Sequence, residues 1–553
     1  MYIPSVVVVG LLSQCVAGIG LSRQPLAHEL QLSAQLGVDP NLLWKDREAF
    51  HKLVSESIDS DIPTEYATIP IDHNDSSVGT YQNRYWVTED FYVPGGPVFV
   101  YDVGEADAEK TAKVYLTNTS SFFRNMLEEF HGLGIGWEHR YYGESLPYPV
   151  SLETPPEHFK YHTTRQALAD LPYLAQNFSS KAYPDVDVTP KSTPWIMVGG
   201  SYAGIRAALS RKEYPDVFHA AFASSAPVQA RVNMTMYFDQ VYRGMNKYGF
   251  DNCTKDIHSA LEYIDDQLSK NDTAATIKKA FLGEGAEKNT NGDFTAGLAG
   301  IFHFFQNYGT GGDEGSLEAF CDYIEYDPET KSSAGPDGLA SIYGSKYVAE
   351  RWASWPVYIP LVNLNSDTNC NGQNESIPLS CDLGKPPSDP NGISWSWQYC
   401  SEWGYFQSNN VGPHSLLSKY QTLEYQQEIC NRVFSSAAES DLLPSQPQAN
   451  SINADFGGWT MRPSNVYWSG GEFDPWRTLS PLSTEDIAPQ GISFTTEIPE
   501  CDVQTSENTL FGYILEDSEH CFDFRLNSIP GTISRGIFTK ALTRWLSCFK
   551  GRA

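Results

Sequence analysis

The sequence predicts an α/β fold: a mostly parallel sheet covered by helices and interrupted by a largely helical insertion. Three observations predict it. Strand-type apolar runs alternate with helical stretches between residues 95 and 228, strand-type text returns near residue 465, and an amphipathic helix closes the chain. Such alternation suits a parallel sheet buried on both faces.

Taken in order, GGPVFVYDVGE (95–105) gives a buried strand, Val98 to Val103, entering a glycine turn, and GLGIGWEHR (132–140) gives a second. TTRQALADLPYLAQNF (163–178) reads as a helix with Ala167, Leu168, Leu171, Leu174 and Ala175 on one face, and Thr163 with Gln166 as a capping box. PWIMVGGSYAG (194–204) runs from a strand into a turn, YAGIRAALSRKEY (202–214) is a helix ended by Pro215, and HAAFASSAPV (219–228) is another strand. From about 231 to 450 the text is helical and loop-rich. NVYW (465–468) and TLFGYIL (509–515) resume the strands. IFTKALTRWLSCF (537–549) then buries Ile537, Phe538, Ala541, Leu542, Trp545 and Leu546. The simplest organisation is an export signal (1–20), a lead-in or pro-segment (21–64) and a core in two parts (65–230 and 456–553), with a disulfide-bonded cap (231–455) inserted between them.

Composition narrows the class. The chain has 553 residues, 41% apolar and 13% aromatic, enough for a large core. Its formal charge of −30 argues against nucleic acid or an anionic membrane as partner. The apolar run Val6 to Leu12, followed by small residues near Ala17 to Gly20, resembles a cleavable signal, although no Lys or Arg precedes it. The expectation is a soluble protein, secreted or of a vacuolar or lysosome-type compartment. Sequons at Asn74, Asn118, Asn177, Asn233, Asn252, Asn271 and Asn374 fit a glycoprotein. Beyond Cys15, nine cysteines remain, an odd count that leaves one thiol unpaired or paired between chains. No close cysteine or histidine cluster and no phosphate-binding glycine loop is present, so neither a metal nor a cofactor is expected.

The chemistry lies in three separated residues. Ser201 sits in VGGSYAG, on a strand-to-helix turn whose small neighbours allow strained backbone angles. Ala203 stands where the last glycine of Gly-x-Ser-x-Gly belongs. Asp474 follows an apolar strand and two glycines in YWSGGEFDPW, and His520 follows the last strand in EDSEHCFDF. Of twelve histidines, His520 alone lies beyond His414, so it is the one base available to a triad whose acid is Asp474. Ser, Asp, His is the chain order of an α/β-hydrolase triad, and a serine needs such a base to become nucleophilic. The bland alternatives are an incidental serine, a turn aspartate before proline and a loop histidine. The oxyanion would be held by the N–H of Tyr202 and by a donor near Gly104 and Glu105. Trp476 could wall a substrate pocket or simply fill the core.

EHRYYGESLPY (138–148), YHTTRQALAD (161–170), VGGSYAG, FDPW (473–476) and HCFD (520–523) together resemble the family of lysosomal Pro-Xaa carboxypeptidase, dipeptidyl peptidase II and fungal acid prolyl endopeptidase. IDHND (71–75) and QNRYWV (82–87) look like that family's opening, and WSWQYCSEWGYFQ (395–407) like part of its cap. The resemblance implies a serine peptidase cleaving after proline, with an α/β-hydrolase core and a helical, disulfide-bonded cap. It maps the triad onto Ser201, Asp474 and His520 and gives Trp476 a place in the proline pocket. Ala203 and the Ser469-Gly470-Gly471 run depart from the family's usual glycine and Asn-Gly pair. Peptide or protein substrates are expected; a carboxylesterase or lipase and a non-catalytic hydrolase-fold binding protein are the rival readings.

Overall fold

The computed structural model describes residues 24–59 and 61–551; the expected export signal (1–20) lies outside the described residues. Nine strands form one sheet: β1 (Glu65–Pro70), β2 (Thr80–Thr88), β3 (Val98–Asp102), β4 (Leu133–Trp137), β5 (Trp195–Gly200), β6 (Phe218–Ser224), β7 (Val466–Gly471), β8 (Ser493–Thr495) and β9 (Thr509–Leu515). Their order is β1-β2-β4-β3-β5-β6-β7-β9-β8. From β4 across to β8 every neighbouring pair is parallel, while β1 and β2 form an antiparallel edge. Every residue of β3, β4 and β6 is buried, as apolar runs in a doubly covered parallel sheet should be. This is the expected α/β-hydrolase architecture.

The β1–β2 hairpin was not legible as strands. Its second strand buries the polar Asn83 and Arg84 on opposite faces, which breaks the apolar alternation that marks a half-buried strand. The helix Thr164–Asn177 starts where expected, with Thr163 Oγ1 accepting from Gln166 N–H at 3.3 Å. The Gln166 side chain does not close the box. It bonds Asp72 (2.6 Å) and the His73 N–H (2.9 Å) instead, tying down the turn after β1. The last helix spans Ile529–Leu546, starting eight residues earlier than its apolar face suggested. Ile529 and Ile533 are exposed there, so the first two turns carry no core-facing signal.

Between β6 and β7 the chain forms helices, from Met236–Lys247 to Ala449–Phe456, with a short parallel pairing of Arg231–Asn233 and Gly404–Phe406. Three disulfides staple this region, Cys253–Cys321, Cys370–Cys381 and Cys400–Cys430; a fourth, Cys501–Cys548, anchors the last helix, and Cys521 is left free. The lead-in is a helical arm packed on both layers. His28 Nε2 meets Thr111 Oγ1 (2.7 Å), Gln35 donates to the Ser120 carbonyl (2.7 Å), and Asn41 donates to the Gly312 carbonyl (3.2 Å). Leu30, Leu43, Phe50 and Val54 are buried beneath it.

The run 138–148 is a set of mostly buried connectors. Glu138 takes a two-pronged bond from Arg84 (2.8 and 2.6 Å) and accepts from the N–H groups of Ala108 and Ser145. Arg140 bonds both oxygens of Asp170 (2.7 and 2.5 Å) and the carbonyls of Pro70, Ile71 and Tyr161. All five guanidinium N–H groups are used, which is what burying a charge demands. Asp170→Ala should therefore destabilise the fold by about 3–5 kcal/mol, because it leaves Arg140 charged and unmatched. A urea midpoint unchanged from wild type would contradict this account.

Candidate active site

β5 delivers Ser201 to the first turn of the helix Tyr202–Glu213 with φ 58° and ψ −131°, a conformation costly for a residue with a side chain. The Ser201 N–H is held by the Ser224 carbonyl at the end of β6 (3.0 Å). Ala203, the departure from the glycine pattern, is tolerated for a local reason. Its methyl faces Gly104 on the loop after β3, where a Cβ on Gly104 would stand 3.2 Å from it. Small residues are needed at this contact, and one of the two partners is glycine.

Asp474 follows β7, fully buried, as the cap of a 3-10 turn. Its Oδ1 accepts from the Trp476 N–H (2.9 Å) and meets His520 Nδ1 at 2.9 Å. It is thus both the turn aspartate of the bland alternative and the partner of the histidine. Gly471 makes the approach possible, since a Cβ there would lie 2.3 Å from the carbonyls of Ser518 and Glu519. His520 is 3% exposed, with its N–H donating to the Gln306 carbonyl (3.1 Å). Its Nε2 has no hydrogen-bond partner among the described residues, Ser201 included. The two loops nevertheless abut, because a Cβ on Gly200 would come within 2.8 Å of Cys521 Sγ. Burial pushes the imidazole pKa down, but the Asp474 carboxylate and the neighbouring Cys521 thiol outweigh it and hold it well above the ordinary histidine value.

Anchors that the sequence reading missed surround this contact. Asp523 accepts from Ser224 Oγ (2.6 Å) and from the Ser469 hydroxyl, and Cys521 N–H donates to Ser225 Oγ (2.9 Å). The signal was present: two serines end the β6 run and an aspartate follows the histidine by three. Their convergence was not.

On the oxyanion side, Tyr202 N–H opens its helix and meets no acceptor among the described residues. Its hydroxyl accepts from Gln398 Nε2 (2.6 Å) and meets His139 Nε2 (3.2 Å). The expectation of a free donor at Gly104 is corrected, because that N–H is committed to the Asp102 carboxylate (3.0 Å). Asp102 in turn binds Arg206 Nε at 2.6 Å. Glu105 is 8% exposed, and burial lifts its carboxyl to about 7, with its own N–H and His520 pulling the other way.

Trp476 is 4% exposed, so the core alternative is correct as to burial, yet it stands two residues from Asp474 with a polar anchor. Its indole N–H donates to Gln306 Oε1 (2.8 Å), and it meets Tyr237 and Tyr405 edge to face (5.6 and 5.2 Å). Of the sequon residues, Asn74, Asn177, Asn271 and Asn374 are exposed, and Asn233 and Asn252 are half-buried. Asn118 is buried with its amide donating to the Ser57 carbonyl (2.5 Å), which leaves no room for a glycan while the arm is docked.

The Glu105 carboxyl couples stability to pH. Its folded pKa of about 7 exceeds the ordinary 4.5, so the folded state holds this proton longer than the unfolded chain does. The stability it contributes is fully present below about pH 4.5 and lost as pH rises through about 7, amounting to about 3 kcal/mol. Glu105→Gln should gain about that much over wild type between acid and neutral pH in denaturant titrations. A difference that does not change with pH would refute the assignment.

Against known proteins, the family described as Serine carboxypeptidase S28 matches residues 70–493. Ser201 and Asp474 fall inside that span and His520 beyond it. A protein of Arthroderma benhamiae named "Probable extracellular serine carboxypeptidase" is 25% identical over 76% of this chain, which spans 60% of that relative's length. The "Thymus-specific serine protease" of Mus musculus is 26% identical over 87% of both chains. The "Lysosomal Pro-X carboxypeptidase" of Bos taurus is 22% identical over 88% of both. With a parallel-sheet hydrolase fold and a match over most of its length, the chain belongs to the serine carboxypeptidase S28 family, that is, to the serine-type peptidases.

Proposed function

We propose that the protein hydrolyses peptide bonds on the carboxyl side of proline, through an acyl-enzyme on Ser201. The observation that carries this reading is the buried 2.9 Å contact of His520 Nδ1 with Asp474, on a loop that abuts the strained turn of Ser201. In the proposed cycle His520 Nε2, otherwise unpartnered, takes the Ser201 proton as Oγ attacks the scissile carbonyl. Tyr202 N–H donates to the developing oxyanion, and the Glu105 N–H serves as second donor only by leaving its own carboxyl. His520 then protonates the leaving amine, and water repeats the sequence on the ester. Asp474 fixes the tautomer by receiving the Nδ1–H and stabilises the imidazolium.

Proline preference is supported by the resemblance of the motifs and by the relative named for Pro-X cleavage. The aromatic group of Trp476, Tyr237 and Tyr405 suits a flat apolar ring. Four disulfides support an oxidising compartment, and export there is part of the same proposal. Asn74, Asn177, Asn271 and Asn374 are the exposed positions where glycans would sit.

Ser201→Ala should lower turnover of a prolyl peptide on the order of 10⁵-fold while leaving the folded protein intact. Retained turnover in a folded variant would remove Ser201 from the mechanism. Asp474→Asn should cost about 10⁴-fold in kcat and move the acid limb of kcat/KM to lower pH, because the carboxylate that raises the His520 pKa is gone. An acid limb that stays in place would show that another group titrates there.

A further inference from the structure

Gln306 lies in the cap segment Phe305–Tyr308 and touches both halves of the proposed site. Its backbone carbonyl receives the His520 N–H (3.1 Å). Its side-chain Oε1 receives the Trp476 indole N–H (2.8 Å) and the Tyr237 hydroxyl (3.2 Å). An indole N–H can only donate, so the amide oxygen must be the atom facing Trp476. That fixes the orientation of the amide. Its two N–H hydrogens are turned away from the indole and meet no acceptor among the described residues, and although the residue is only 8% exposed this nitrogen keeps contact with solvent. A donor that faces solvent is free to exchange its water for an acceptor on a ligand. These N–H groups sit one hydrogen bond from Trp476 and one from the backbone of the proposed base.

A peptide carbonyl can take the place of that water. A proline carries no N–H, so the polar groups on either side of its ring, its own carbonyl and that of the preceding residue, are both acceptors. A pocket built for it gains from a donor, and an acceptor in the same place would face like polarity.

Taking the prolyl-peptidase reading above as its basis, we propose that Gln306 is a substrate-contacting residue that sets specificity. Its Oε1 holds the Trp476 indole as a pocket wall, and its Nε2 donates to a backbone carbonyl of the peptide beside the proline.

Two variants separate the roles. Gln306→Glu keeps the shape and an acceptor for Trp476 and Tyr237 but removes the donor; Gln306→Leu removes both. Neither alters the backbone carbonyl that holds His520. The measurements are kcat/KM on a prolyl peptide that wild type cleaves and on its alanyl counterpart, with the rate of labelling by a small fluorophosphonate that makes no peptide contacts. Gln306→Glu should lose about tenfold in kcat/KM on the prolyl peptide, chiefly through KM. Gln306→Leu should lose at least as much and also lower the prolyl-to-alanyl ratio. Labelling should stay at the wild-type rate in both. Variants matching wild type on both peptides would overturn the inference while the prolyl-peptidase reading stands. Labelling that falls in step with peptide turnover would overturn it too, as damage to the triad. Wild type that is neither labelled nor active on the prolyl peptide would take down the underlying reading, and this inference with it. Where Gln306→Leu does not fold, the near-isosteric Gln306→Glu carries the test.

Discussion

The end of β6 is the constraint on which the site depends. Ser224 gives its carbonyl to the N–H of Ser201 and its hydroxyl to Asp523, while Ser225 receives the N–H of Cys521. One residue pair therefore fixes the turn that carries the serine and the loop that carries the histidine. Ser225 itself has φ 49°, and its N–H is held by the Ser469 carbonyl of β7 (2.7 Å). The strain of the Ser201 turn persists because neighbouring strands over-determine it. Sheet register, more than contact between the side chains, brings the two loops together.

Buried ion pairs extend that rigidity outward. Arg140 with Asp170 closes a fully satisfied network and Glu138 takes both prongs of Arg84, so these buried ions lose little of what water would give them. His139, between them, reaches the Tyr202 hydroxyl, and Gln398 of the cap reaches the same oxygen. Core and cap thus meet at the side chain of the residue whose N–H faces the expected oxyanion. On the other side, Gln306 joins the cap to Trp476 and to the His520 loop. The cap completes the site, holding groups that the sheet alone would leave free.

Three carboxyls around the site, those of Glu105, Glu402 and Glu519, are each pushed up to about 7 by burial. Against them, burial lowers His28 and His51 to about 4. The carboxyls favour the fold in acid and the histidines favour it above their unfolded pKa, so the two sets oppose each other between about pH 4.5 and 6.5. The pH dependence of stability therefore rests on buried groups that a net charge of −30 does not describe.

Chain order and local pattern were enough to nominate Ser201, Asp474 and His520, because a nucleophile turn demands small residues in a row and one histidine alone lay late enough. The central strands were legible for a similar reason, since doubly buried strands must be apolar throughout. The β1–β2 hairpin was hidden by Asn83 and Arg84, whose burial makes sense only once Glu138 is beside them. Gly104 looked like a free donor until Asp102 was seen to occupy its N–H. Gln306 carried no local signal, and the convergence of Ser225 with Asp523 was hidden, as each acts through partners dozens to hundreds of positions away. The sequence by itself determined which residue types stand at which strand ends, because backbone geometry imposes those choices locally. Tertiary structure alone decided which buried polar groups meet, because hydrogen-bond satisfaction in a core is settled by the groups that folding brings together.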